Sequence, residues 1–278
     1  MIGLILVSVG EFFHELGLSI GKFEIAHRKE TIPVMGFLSF FWTLIFLLLI
    51  GVIRSDFIFN ALSLPTLGIK IILEIAQIHI GLIALTKTSR STITFITVGT
   101  IPLLLLVDYL LGYEMILTQI LGIMVIVIGL LIIFINHGLN SKGIGYVIFI
   151  TINAVATISL YKYNINNFNS VSAEQSITIL FLLIYFFSLS MLKDKVNPFV
   201  YMKKPLFLFQ SIILGICSTL INFAYLFGSA SVITTAKRAL SIVGAMISGN
   251  LYFKEKKLII KITTFFIILI GLILLVMK

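Results

Sequence analysis

The chain has 278 residues, 59% of them hydrophobic and only 11% charged, with a formal net charge of +9 and a mean hydropathy of +1.17. A soluble domain carries about 25% charged residues, so a soluble enzyme and a nucleic-acid-binding protein are both excluded. The basic excess reads instead as loops on one face of a membrane. The single cysteine, Cys217, rules out an intramolecular disulfide framework and a cysteine-based metal site.

A spanning helix needs about 20 mostly apolar residues, and the chain offers ten such runs. They fall near 2–21, 32–53, 66–86, 91–111, 117–135, 143–163, 174–192, 205–227, 233–253 and 258–277. No basic residue precedes Ile2, so the first run is read as a membrane span and not as a cleaved signal peptide. That span places Glu11, His14 and Glu15 on one helical face. A lone carboxylate at the bilayer centre costs about 2.5–3.5 kcal/mol on insertion scales. Two of them beside a histidine therefore point to a water-lined cavity or a packed polar partner. Two close carboxylates also resist double ionisation, which suits a proton-carrying site.

The third span carries Glu74 and Gln77 on one stripe with Gly81, while His79 points away from it and reads as a satisfied structural residue. The sixth span contributes Asn153 and the eighth Asn222, a helix-to-helix hydrogen-bonding residue. Lys237 and Arg238 begin the ninth span, on a helix of small residues that includes Gly244, Ala245 and Ser248. The basic pair suits either an anionic substrate group or headgroups reached from the helix end. Glu114 and Glu255 sit in tight hairpins and are expected to shape them. There is no zinc-protease motif, phosphate-cradling glycine loop or nucleophile elbow, so neither enzymatic chemistry nor a cofactor is called for.

Ten spans divide into five plus five. The run from Ile2 to Val9 overlies that from Ile144 to Thr151, which sets Glu11 opposite Asn153. The stretch Asp108 to Glu114 is similar to Gly249 to Glu255, and Val127 to Ile132 is similar to Leu269 to Leu274. An odd number of spans per unit inverts one unit relative to the other, as in many secondary transporters. The expected fold is thus an all-α integral membrane protein with ten transmembrane helices as two inverted five-helix repeats, 1–138 and 139–278. Counting basic residues in the loops favours both termini outside.

Pro102, the run through Gly112 to Glu114, then Gln119 and Gly122, resemble the fourth and fifth helices of the EamA-like branch of the drug/metabolite transporter superfamily. Ala236 to Arg238, followed by Phe253 to Glu255, are similar to the matching part of that family's second repeat. Two departures stand out: the ninth span has no proline, and Thr263 replaces the family's glycine. The resemblance implies both termini in the cytoplasm, against the charge count, so both orientations stay open. The first span also resembles the small multidrug-resistance branch, in which one membrane glutamate binds protons and cationic drugs alternately, with a lysine about two turns on. Here Glu11 or Glu15, followed by Lys22, would take those parts.

Together these readings predict a multi-pass plasma- or inner-membrane protein, monomer or homodimer, that works as a proton-coupled secondary transporter. Its cargo would be small metabolites, amino acids or amines, or amphipathic drugs. The expected binding residues are Glu11, His14, Glu15, Glu74, Asn153 and Arg238, around a cavity lined by spans 1, 3, 4, 6, 8 and 9. A passive channel or facilitator and a non-transporting membrane scaffold are the alternatives.

Overall fold

The structure, a computed structural model, describes residues 2–110, 117–135, 142–228, 230–251 and 258–276. The expected hairpins at Gly112–Glu114 and Phe253–Glu255 lie outside these residues. Helices account for the architecture: α1 (Ile2–Ala26), α2 (Ile32–Ile53), α3 (Leu64–Lys87), α4 (Arg90–Thr97), α5 (Thr100–Leu110), α6 (Leu117–Ile135), α7 (Ile144–Asn167), α8 (Val171–Leu192), the single turn α9 (Phe199–Met202), α10 (Pro205–Ala224), α11 (Ala230–Leu251) and α12 (Leu258–Val276). Among the described residues there is no strand.

Eight segments are long and apolar enough to cross a membrane: α1, α2, α3, the α4–α5 segment, α7, α8, α10 and α11. In α6 and α12 the apolar stretches are shorter, at Ile120–Ile132 and Ile259–Gly271. These segments make the chain a multi-pass, all-helical membrane protein. Side chains start the helices where the sequence supplies a cap. Thr31, Ser89 and Ser170 accept from Val34, Thr92 and Ala173 N–H, and Pro33 and Pro65 occupy the first turns of α2 and α3, where no N–H is needed. Left-handed residues close α1 and α2: Arg28 at φ 57° and Ser55 at φ 49° let the Lys29 and Asp56 N–H groups reach back to Glu24 and Gly51 carbonyls.

The fourth span departs from the continuous helix expected over 91–111. Pro102 has no N–H to offer the Val98 carbonyl, so the chain tightens between α4 and α5. Ile101 N–H bonds Val98 O at 2.9 Å and Gly99 N–H bonds Ile96 O at 3.0 Å. α11 contains no proline and runs unbroken. It also starts at Ala230, before the expected 233, so Lys237 and Arg238 lie two turns inside the helix instead of at its start.

Packing follows pairs. α1 lies along α10 and α11, α3 along α7, and α2 between α8 and α10; α4 packs on α11 and α7, and α6 on α12. Close approach at α2–α10 depends on Gly215, where a Cβ would sit 2.6 Å from Trp42 Cβ and 2.9 Å from the Thr43 nitrogen. One apolar core joins α1, α2, α8 and α10, and a second, around Phe95, Ile126, Ile242 and Ile268, joins α4 to α6, α11 and α12. Between them the helices leave a gap whose apolar lining carries several ionic side chains.

Candidate functional site: a central cavity and its buried ionic groups

The gap is a cavity of about 340 Å³. α3 contributes Glu74 and Gln77 to its wall, α4 Arg90 and Thr97, α7 Thr157 and Tyr161, and α11 Lys237 and Arg238. His14 of α1, Phe40 of α2, Gln175 of α8, and Asn222 and Tyr225 at the end of α10 complete it. The lining therefore includes the six expected spans, and α2 and α8 as well.

Of the six residues predicted from sequence, His14, Glu74 and Arg238 line the cavity, and Glu11, Glu15 and Asn153 stand behind its wall. Glu15 is held by Arg90 through an ion pair with Arg90 Nη2, and Ser241 donates to its Oε1 at 2.7 Å. All three residues are buried, so α1, α4 and α11 are joined by one charged contact. Glu11 is 2% exposed; its Oε2 lies 3.8 Å from His14 Nδ1, and neither atom has a hydrogen bond. Asn153 donates to Leu73 O at 2.9 Å and to Gln77 Oε1 at 3.0 Å, and Thr157 donates to the same Oε1 at 3.0 Å. Asn153 thus braces α7 on α3 and fixes the Gln77 amide, leaving its NH₂ for the cavity. His79 pairs with the Tyr185 hydroxyl at 3.1 Å, away from the cavity.

Sequence reasoning missed a second buried network. Lys70, fully buried in α3, donates to Glu174 Oε1 and Thr178 Oγ1, both at 3.1 Å, and lies 4.9 Å from the Tyr161 ring centre. Asn164 and Asn169 donate to the same carboxylate at 2.9 and 2.6 Å, and Asn169 also donates to Ser63 Oγ at 2.9 Å. In the sequence Lys70 and Arg90 lie near the starts of the 66–86 and 91–111 runs, where each reads as a loop charge. The available signal was Lys70 inside the 66–86 run, because a cation there demands a buried counter-charge.

Two lysines close the helix ends. Lys22 Nζ donates to Thr88 O at 2.6 Å, where α3 gives way to α4. Lys162 Nζ donates to Tyr225 O at 2.6 Å and Gly228 O at 3.1 Å, where α10 gives way to α11. Thr88 Oγ1 also donates to Lys142 O just ahead of α7, so the start of α7 lies beside the end of α1. The two lysine contacts are therefore at opposite ends of the bundle.

Outside the spans, Glu30 in the α1–α2 loop is 3% exposed, and both of its carboxylate oxygens lack hydrogen bonds. Burial pushes its pKa up to about 8; the nearby Gln210 amide counters this weakly, without normal hydrogen-bond geometry, and Glu24 adds to it.

No family model matches the sequence, and no curated protein matches it either.

Proposed function

We propose that the chain is a secondary active transporter of the cell membrane, moving small metabolites by alternating access around the central cavity. The observation that carries this reading is a largely apolar cavity of about 340 Å³ between membrane-length helices, into whose wall ionic side chains from both halves of the chain are set. A bilayer protein keeps such groups where a polar ligand or water passes.

Within this reading the ten helices form two inverted five-helix repeats, 1–138 and 139–278, in the manner of the EamA-like family. Helix pairing supports it: α1 on α10 is mirrored by α7 on α3, while α2 with α8 and α6 with α12 pair mate to mate. The lysine contacts follow the same rule. In each half the first helix sends a lysine to the carbonyls that follow the third, at opposite ends of the molecule. The break between α4 and α5 beside the cavity also fits, since discontinuous helices line many transporter sites.

Mechanistically, one end is shut by Lys22 on Thr88 and by Glu15 with Arg90 and Ser241, the other by Lys162 and the Lys70–Glu174 network. Rocking one half on the other would open in turn the two contacts that cross between the halves, Ser241 on Glu15 at one end and Lys70 on Glu174 at the other. Lys22 and Lys162 each brace the end of their own half. Glu11 with His14 is the proton site: a buried carboxylate lacking a full set of donors, beside an imidazole on the cavity wall. A proton held there is released when a bound substrate or Arg238 supplies competing charge.

The test uses proteoliposomes with a trapped pH dye, a panel of amino acids, polyamines and lipophilic cations, and wild type beside Glu11→Gln, which leaves the Arg90–Glu15 pair untouched. A substrate-driven pH change in wild type alone is expected. Equal signals in both would remove Glu11 as the proton site, and flux without counterflow would indicate a facilitator. One observation favours a non-transporting scaffold, namely that Glu15 is consumed in a helix-to-helix ion pair. That reading predicts lower abundance in Glu15→Gln and no ligand-dependent stabilisation of wild type.

A further inference from the structure

Three ionic side chains on the cavity wall have been left without an ionic partner of their own. Glu74 extends from α3, and Lys237 and Arg238 extend from α11. Among the described residues none of the three has a hydrogen bond or an ion pair within 4.0 Å, and Arg238 Nε is both buried and unbonded. The other ions nearby are already satisfied, Lys70 by Glu174 and Arg90 by Glu15. α3 packs mainly along α7 and α8 and α11 mainly along α1 and α4, with no close packing between α3 and α11. The carboxylate and the cations therefore stand on different helices, with Lys237 near enough for its charge to act on Glu74.

The placement of opposite charges decides what fits between them. Arg90 and Glu15 cancel, which leaves one carboxylate, Glu74, on α3 and two cations, Lys237 and Arg238, on α11. A cationic ligand meeting Glu74 would bring its charge towards Lys237. An anion held by Lys237 would face Glu74. A molecule with both charges satisfies each wall and leaves the sum unchanged. The remaining wall is apolar and aromatic, with Phe40, Ile78, Tyr161 and Ile179. At about 340 Å³ the space lies at the lower limit of small-molecule sites, which run from roughly 300 to 1,000 Å³.

We infer that the cavity binds a small zwitterion with an apolar body, its ammonium group on Glu74 and its carboxylate on Lys237, with Arg238 beside it. This rests on the transporter reading only in taking the cavity as the substrate site.

The experiment measures thermal stabilisation of the full-length protein in detergent by L-phenylalanine and L-leucine. It compares them with phenethylamine, which lacks the carboxylate, and 3-phenylpropionate, which lacks the amine. In wild type each single-charge analogue is expected to bind at least about tenfold more weakly than L-phenylalanine. In Glu74→Gln the penalty for losing the amine should vanish, and in Lys237→Gln the penalty for losing the carboxylate. Should either variant fail to fold, the wild-type series decides alone. Equal binding of the single-charge analogues, penalties unchanged in the folded variants, or no stabilisation by either amino acid would overturn the assignment. Counterflow in proteoliposomes separates the two readings. Phenylalanine binding without counterflow removes the transporter and keeps the ligand class. Counterflow of a singly charged compound, with no amino-acid binding, does the reverse.

Discussion

Arg90→Gln is the most informative single change, because it leaves Glu15 buried with only the Ser241 hydroxyl. Removing one member of a buried ion pair costs about 3–5 kcal/mol, most of it the penalty of the stranded charge. Arg90 is 2% and Glu15 4% exposed, so little solvent is at hand to soften that penalty. At roughly 2–4 °C per kcal/mol for a chain of this size, the apparent Tm should fall by about 10 °C. Glu15→Gln alone removes the guanidinium's carboxylate partner and should also destabilise, by up to a similar amount. The double variant Glu15→Gln/Arg90→Gln places two amides where the ions were and should recover at least about 2 kcal/mol relative to additivity. Thermal unfolding of all four proteins in one detergent closes the cycle. Additive single effects, each below about 1 kcal/mol, would refute the claim that this contact joins α1, α4 and α11.

At Glu30 the unfolded carboxylate titrates near 4.5 and the folded one at about 8. The folded protein therefore holds the proton longer, and stability should fall as pH rises across that window, by at most about 5 kcal/mol. Glu30→Gln should abolish the slope, and unfolding curves at pH 5, 7 and 8.5 that stay parallel to wild type would contradict this. Lys22→Met should raise thiol labelling of a reporter cysteine at Ser91 by about tenfold and leave one at Thr66 unchanged, with Lys162→Met giving the opposite pattern, since each loses the charged hydrogen bonding that ties its end of the bundle. Equal labelling at both ends in both variants would mean that the lysines do not act as end closures. Gly215→Val should destabilise by about 2 kcal/mol, because the added methyls meet Trp42 and the Thr43 backbone. Gly68→Ala, where a Cβ meets nothing within 4 Å, should be neutral or stabilising by up to about 1 kcal/mol and serves as the control.

The helices were legible because lipid-facing and packed positions are both apolar, so a membrane-length run shows itself whatever it packs against. Span starts followed from caps and prolines close in sequence, such as Thr31 with Pro33 and Ser170 before α8. The interruption at Val98–Gly99 was present in the sequence as Pro102, three residues later. A 20-residue hydropathy pattern smooths over it, since proline removes one hydrogen bond without altering the apolar character of the run. The end of α1 at Ala26, beyond the expected 21, has the same origin: Lys22 reads as a loop charge until Thr88 O supplies its partner.

The site divides along a different line. His14, Glu74 and Arg238 could be named because an ion in an apolar run stands out by itself. Their neighbours could not, because a buried pair is defined by two residues whose proximity arises only from packing. Arg90 and Glu15 are 75 residues apart, and Lys70 and Glu174 are 104 apart. Each of these cations sits close enough to a helix end to be counted as a loop charge. The same physics separates the roles of the acids. Glu15 and Glu174 meet cations and hold helices together, whereas Glu74 faces the cavity with Lys70 and Lys237 in its neighbourhood but no ion pair of its own. A charge kept in that position costs stability in every state that lacks a ligand. Water in the cavity softens that cost, and a ligand that brings a cation to Glu74 would return it, so under the proposed reading Glu74, more than the ion-paired Glu15, is the acid whose substitution tests what the cavity holds.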